Sequence, residues 1–220
     1  PLTLIAAPLE DLSHDTSLTS EAHYLLNTAL KGSRRLRVLI GELLNFERLD
    51  RGRGTLRCVP VCLGDLVIEQ GENFLPLCER SGLKLHVDVP NQSIYCLADS
   101  ELMLRMLDNL MGNACKYTPA GGDIFLTLTT ARRKAIITVR DTGIGMSEEI
   151  KRTALNRIAR GENVRGIEGT GFGLVQTNQM VKAMGGHIRL ESQEGQGTTF
   201  TITFRLTDKR SAKDVPATPT

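Results

Sequence analysis

The stretch DTGIGMS, Asp141 to Ser147, follows the apolar run KAIITVR and sets one acid ahead of two glycines. Side chains alternate along a strand, so Ile137, Val139 and Asp141 share one face. The two apolar neighbours make that face a buried one. A buried carboxylate is costly unless a donor meets it. Gly143 and Gly145 carry no side chains, so a flat ligand can approach the backbone closely. An amine-bearing heterocycle fits: Asp141 accepts from it while the glycines let it slide in. A tight turn fits as well, with Asp141 capping its own backbone. The stretch alone does not separate the two.

The helix expected before it adds a second set. Leu102, Met106, Asn109, Asn113 and Lys116 are spaced four, three, four and three, which places them on one helical face. Asn is a poor helix former, and core helices seldom spend a stripe on two of them. An amide oxygen is a hard ligand suited to Mg²⁺, which arrives with phosphates and waters. Lys116, one turn on, suits the phosphates, and Tyr117 suits a ring or a sugar. Taken singly, each has a plain structural use: an Asn cap, a solvated Lys, a core Tyr. As a set they read as one face of a Mg-nucleotide site. GTGFGL, Gly169 to Leu174, then opens a later helix. Glycines there expose backbone N–H groups, which suit an anion. That pattern is weak by itself.

The elements that must position these groups are legible along the chain. Residues 1–50 read as a helical hairpin. PLTLIAAPLEDL places Leu2, Ile5, Leu9 and Leu12 at steps of three and four, SHDTSLTS is a polar connection, and a long helix runs from Glu21 to about Leu49. In it Leu26, Ser33 and Ile40 recur every seven residues, beside a second stripe of Leu25, Leu39 and Phe46. Two adjacent stripes predict pairing with a second copy into a four-helix bundle, the plainer alternative being a hairpin packed on its own domain. DRGRGT, Asp50 to Thr55, reads as a hinge. Beyond it LRCVPVCL, LKLHVDVP, GDIFLTLTTA, KAIITVRD, HIRLESQ and GTTFTITFRL read as strands. LGDLVIEQGENFLPLCERSG, DSELMLRMLDNLMGNACKYT, EEIKRTAL and FGLVQTNQMVKAMGG read as helices, the last capped by glycine. GENVRGIEGTG reads as a mobile loop. The fold class expected is α+β: the hairpin at 1–50, then at 55–206 an α/β sandwich whose mixed, largely antiparallel sheet is covered on one face by helices, then a disordered tail at 207–220.

Composition narrows the function classes. The chain has 27 basic and 25 acidic residues, for a net charge of +2. A balance this even does not indicate nucleic-acid binding. Aromatics make up 4% and Trp is absent, which argues against a base-stacking platform. With 220 residues, 40% of them hydrophobic, there is enough for one core and a smaller second unit. Cys58, Cys62, Cys78, Cys96 and Cys115 form no CxxC pair and lack a His at zinc spacing. They read as free thiols in a reducing compartment, with no structural metal. No apolar run has the length of a membrane span, and no signal peptide is evident. The chain opens on Pro1 rather than Met, which suggests a piece of a longer protein.

These motifs carry a resemblance. DNLMGNACKYTPAGG resembles the N box of sensor histidine kinases, DTGIGM their G1 box, and GTGFGLVQTNQMVKAMGGHIRLESQEGQGTTFTITF their G2 box with its closing strands. The order and spacing are similar to those of the ATP-binding fold shared with the gyrase, Hsp90 and MutL ATPases, the Bergerat-type fold. The resemblance covers roughly residues 1–206. PLTLIAAPLEDL resembles the stretch just after the phospho-accepting His of the dimerisation domain, best matched in hybrid two-component sensors of Bacteroides-type bacteria. The resemblance implies ATP and Mg²⁺ as cofactors. It implies Asn113 on the Mg²⁺, Asn109 supporting metal and phosphates, Lys116 on the phosphates and Tyr117 on the nucleotide. Asp141 would take the adenine amine, with Gly143, Ile144 and Gly145 beneath the ring. Gly169, Thr170, Gly171, Phe172, Gly173 and Leu174 would wrap the phosphates, and Thr199 would reach the adenine through water.

The resemblance also implies a function: transfer of the γ-phosphoryl of ATP to a His, then to an Asp of a response regulator or attached receiver domain. The partners implied are a second copy through residues 1–50 and that regulator, without nucleic acid. The location implied is the cytoplasmic portion of an inner-membrane-anchored sensor, with membrane contact only through regions outside this chain. Two departures stand out. The phospho-accepting His aligns ahead of Pro1, so the chain is expected not to phosphorylate itself. His14 lies at the far end of the hairpin, and His23, His86 and His187 read as surface or packing residues. The F box, Ala154 to Val164, reads ALNRIARGENV and has no Phe. A degenerate nucleotide-binding or dimerisation module is the alternative reading. A gyrase-like ATPase is disfavoured, because those enzymes place a Glu where Asn109 stands and an amide cannot act as that base.

Overall fold

The computed structural model describes residues 8, 9, 12, 18, 19, 21–30, 32, 33, 56–156 and 172–208. The chain divides into two compact units, Pro1–Arg53 and Gly54–Thr220. Each is described by itself.

In the first unit residues 21–30 are helical. Thr19 caps that helix: its Oγ1 accepts from Ala22 N at 3.2 Å, and its carbonyl accepts from His23 N at 2.9 Å. Leu26, Leu30 and Ser33 are buried. Tyr24 and Leu25 are 72% and 61% exposed. The first expected stripe therefore faces inward at Leu26 and Ser33, and the second faces out at Leu25. Residues 8, 9, 12, 32 and 33 are helical as well, with Leu12 exposed, and the rest of the expected hairpin lies outside the described residues.

The second unit begins with β1 (Val59–Cys62) and α1 (Leu63–Arg80), then β2 (Lys84–Asp88) and β3 (Tyr95–Ala98). Next come α2 (Ser100–Tyr117), β4 (Asp123–Ala131) and β5 (Lys134–Asp141). It closes with α3 (Glu148–Thr153), α4 (Gly173–Ala183), β6 (His187–Gln193) and β7 (Gly197–Arg205). The main sheet has five strands in the order β2-β4-β5-β7-β6. Only β2 and β4 run parallel; the other three neighbouring pairs are antiparallel. The mixed, largely antiparallel sandwich expected from the sequence is the fold observed.

Period-two patterning explains why one face is covered. Ile124, Leu126 and Leu128 of β4, Ala135, Ile137 and Val139 of β5, and Phe200, Ile202 and Phe204 of β7 are buried. Under them α2 contributes Met103, Met106, Leu107, Leu110 and Met111, each fully buried. Asp99 starts α2 by accepting from Glu101 N at 3.1 Å and Leu102 N at 3.3 Å through Oδ1. Its Oδ2 accepts from Arg57 N at 3.1 Å, which ties the entry of β1 to the same cap. Cys78 of α1 and Cys115 of α2 bring their sulfurs to 3.5 Å. All five cysteines are free thiols, and burial pushes Cys115 up to about 12.

One strand is absent from the sequence reading. β3 pairs antiparallel with β1, with Val61 opposite Cys96, in a separate two-stranded sheet. It has four residues, too short for a period to declare itself. Thr207, the first residue of the expected tail, is bonded: its N donates to the Tyr95 carbonyl at 2.8 Å; residues 209–220 lie outside the described residues.

The β4–β5 hairpin turns through Arg132 and Arg133, both left-handed at φ 48 and 62. Two such residues make a type I′ turn, which favours Asn-Gly. Replacing them, Arg132→Asn with Arg133→Gly, is expected to add about 1–2 kcal/mol. Thermal unfolding should then shift up by roughly 3–6 °C.

Candidate functional site

β5 delivers Asp141 to the buried face of the sheet, at its very end. The carboxylate is 7% exposed. Its Oδ1 accepts from Gly143 N at 2.8 Å and Thr198 N at 3.2 Å. Burial pushes the carboxyl above its ordinary range, and these two N–H groups pull against that shift. Both bonds fall on Oδ1. Oδ2 accepts nothing from the described residues and is left for an incoming donor. The stretch DTGIGMS is thus a turn capped by Asp141, and it still keeps an acceptor free.

The two glycines have a use that the sequence reading assigned differently. A Cβ at Gly143 would lie on the Tyr117 carbonyl and 2.7 Å from Asp141 Oδ1. A Cβ at Gly145, where φ is 64, would lie on the Gln193 carbonyl. The room each glycine provides is filled by the protein's own backbone. The turn is stitched on both sides. Ile144 N donates to the Tyr117 carbonyl at 3.0 Å, and Gly195 N to the Ile144 carbonyl at 2.8 Å. Met146 N donates to Ser192 Oγ at 2.9 Å, and Ser192 Oγ to the Gly197 carbonyl at 2.9 Å.

Tyr117 O joins this turn to the end of α2, the helix of the expected metal face. Met106 is buried on that face, while Asn109, Asn113, Lys116 and Tyr117 are half-buried. Asn109 Nδ2 donates to Thr177 Oγ1 on α4 at 2.7 Å. The side-chain amide of Asn113 makes no hydrogen bond with the described residues. Lys116 Nζ donates to Tyr117 Oη at 3.1 Å and stands 4.7 Å from that ring's centre.

Phe172 is buried, and Gly173 and Leu174 are half-buried, at the start of α4. Gly173 packs on Asn109: a Cβ there would meet that side-chain amide. Gly169, Thr170 and Gly171 lie outside the described residues, as does the F box from residue 157 to residue 164. At its near end Leu155 O accepts from Asn178 Nδ2 at 2.8 Å.

Thr199 is not on the face of Asp141. In the β5–β7 register Thr199 stands opposite Arg140, and Thr198 stands opposite Asp141. Directly opposed residues point the same way, so Thr198 is buried beside the carboxylate and Thr199 faces the uncovered side. The alternation of Phe200, Ile202 and Phe204 carries that signal: Thr198 is in phase with them. Thr177 of α4 is the hydrogen-bond partner of Asn109. It lies four residues before Val181 on an apolar stripe and is fully buried.

The fold and these groups combine an α/β sandwich with an acceptor carboxylate at one strand end and an amide face beside it. Residues 98–208 match the family of histidine kinase-, DNA gyrase B- and HSP90-like ATPases, and the chain belongs to it. It is 34% identical over 205 residues to the sensor histidine kinase RppB of Synechocystis, covering 92% of this chain and 45% of that protein. It is 29% identical over 208 residues to the sensor histidine kinase YcbM of Bacillus subtilis, covering 93% and 67%. Among solved structures, full-length ShkA in complex with AMPPNP superposes with a TM-score of 0.72 at 24% identity, over 94% of this chain and 44% of that one. The last likeness shows the fold. No helix among the described residues is long and apolar enough to cross a membrane.

Proposed function

We propose that this chain binds Mg-ATP as the ATP-using core of a sensor histidine kinase, serving transfer of the γ-phosphoryl to a His and then to an Asp of a response regulator. One observation carries the reading: Asp141 is buried, held by two backbone N–H groups through one oxygen, with the other oxygen open. That arrangement suits an exocyclic amine. The donor set nearby suits the rest of the ligand. Asn113 has an uncommitted amide oxygen for Mg²⁺, and Lys116 offers an ammonium for phosphate. Bound Mg²⁺ would neutralise charge on the phosphates. The chain's own residues orient the base.

Thr198 takes the place assigned to Thr199, beside the base. Asn109 stands where the hydrolytic members place a Glu, which favours transfer over hydrolysis. A second copy is proposed to cover Leu25 and Tyr24 of the first unit. His86 is an unsuitable phospho-acceptor, since its Nε2 bonds Asp123 Oδ1 at 2.7 Å and its ring stacks on Phe125.

Calorimetric titration with AMPPNP tests the reading. Micromolar binding is expected with Mg²⁺, weaker by on the order of tenfold without it, with negligible steady hydrolysis of ATP. No binding in either condition would leave the dimerising module as the better account. Sustained hydrolysis would favour a gyrase-like ATPase.

A further inference from the structure

We infer that Cys78 and Cys115 form a redox modification site: a hydroperoxide closes the two thiols into a disulfide across the seam between α1 and α2, and the bond weakens nucleotide binding. The effect on the nucleotide rests on the Mg-ATP reading, whereas the closing of the bond does not.

The two sulfurs lie 3.5 Å apart, with Cys78 fully buried and Cys115 half-buried. A disulfide holds its sulfurs at about 2.05 Å, so they must close by roughly 1.5 Å. The seam permits this. Near the other end of the seam Gln70 Nε2 donates to Leu104 O at 3.3 Å and to Asp108 Oδ1 at 2.9 Å. The Gln70–Asp108 and Cys78–Cys115 contacts span 38 and 37 residues, so the two helices run side by side in the same direction. Pro76 stands inside α1, two residues before Cys78, and removes one helical hydrogen bond there, which lets that turn yield. On α2, Cys115 lies between Asn113 and Lys116. The carbonyl of Tyr117, which ends the helix, accepts from Ile144 N at 3.0 Å. A pull on Cys115 therefore reaches the amide face and the turn of Asp141 together.

Cys115 is the sulfur that a small oxidant reaches first. It attacks the terminal oxygen of R–O–OH and becomes a sulfenic acid, and its proton leaves with the alcohol ROH. Cys78 then attacks that sulfur, the S–O bond breaks, and the Cys78 proton leaves with the hydroxide as water. Each sulfur gives up one electron, and the peroxide takes both. Burial keeps Cys115 protonated at neutral pH, so the first step is slow and answers to sustained peroxide.

The test treats the dilute full 220-residue chain with excess tert-butyl hydroperoxide and compares it with the same sample reduced by dithiothreitol. Peptide mass mapping should find Cys78 linked to Cys115 with the loss of two hydrogens. The unfolding midpoint of the ligand-free chain should rise by about 5–10 °C, as closing a loop of 37 residues predicts. Mg-AMPPNP affinity should fall about tenfold, since small displacements at a binding site are costly, and should return on reduction. Cys115→Ser and Cys78→Ala should each abolish all three responses. A Cys115 oxidised to the sulfinic acid beside an unlinked Cys78 thiol overturns the inference. So does a linked chain with unchanged AMPPNP affinity, or a loss of affinity that persists in either variant. If the reduced chain binds no AMPPNP, the nucleotide reading falls, and the mass and the midpoint still decide whether the dithiol closes.

Discussion

Asp141→Asn should abolish tight AMPPNP binding without loosening the fold. The substitution is isosteric. Its carbonyl oxygen can keep the bonds from Gly143 N and Thr198 N that now reach Oδ1. The other end changes from acceptor to donor, and an incoming amine meets N–H instead of oxygen. Losing a bond to a charged acceptor and leaving the donors opposed costs about 2–3 kcal/mol, a loss of roughly 30- to 150-fold in affinity. Stability should move the other way. Burial raises the carboxyl's pKa in the folded chain above its unfolded value. The unfolded state therefore releases the proton at lower pH, and folding is penalised as pH rises through the shifted range. The penalty is complete once the pH exceeds the raised value, and an amide does not incur it. Titration calorimetry should show the lost affinity, and thermal unfolding of the ligand-free chain should show a midpoint unchanged or raised. Full binding by the variant would mean that Asp141 is only the cap of its turn.

Gly145→Ala should cost stability and binding together. At φ 64 an alanine is strained, and its Cβ would fall on the Gln193 carbonyl of the β6–β7 hairpin. Strand backbone cannot swing aside as a flexible side chain can. The combined strain and clash are expected to cost about 3 kcal/mol or more. For a chain of this size that lowers the unfolding midpoint by roughly 6–12 °C. Gly195→Ala is the control. Its φ of 77 is equally left-handed, but nothing lies within 4 Å of a Cβ there. It should cost only about 1 kcal/mol. Equal midpoints for the two variants would contradict a steric cause. The comparison also separates conformational strain from close approach, which the glycine pattern in the sequence merges.

Much of the site was legible because it is written in periods. The alternation of KAIITVRD put Asp141 on the buried face, and the structure finds it buried. The spacing of Leu102 to Lys116 put two amides and a lysine on one helical face. The helix α2 carries them with Met106 underneath. The same alternation puts Thr198, not Thr199, on the face of Asp141, since Thr198 keeps step with Phe200 and Phe204.

Where local pattern runs out, neighbours distant in sequence decide. β3 is four residues long and exists because β1 pairs with it. Asn109 finds Thr177 and Gly173 only when α4 packs on α2. Gly143 and Gly145 are needed because Tyr117 and Gln193 bring carbonyls against them. The sequence by itself determined the strand faces, the helix faces and the order of the motifs, since periodicity is a property of consecutive residues. Tertiary structure alone decided which oxygen of Asp141 stays open, what meets Asn109 and what fills the space beside each glycine. Those are contacts between surfaces that only folding brings within hydrogen-bond reach.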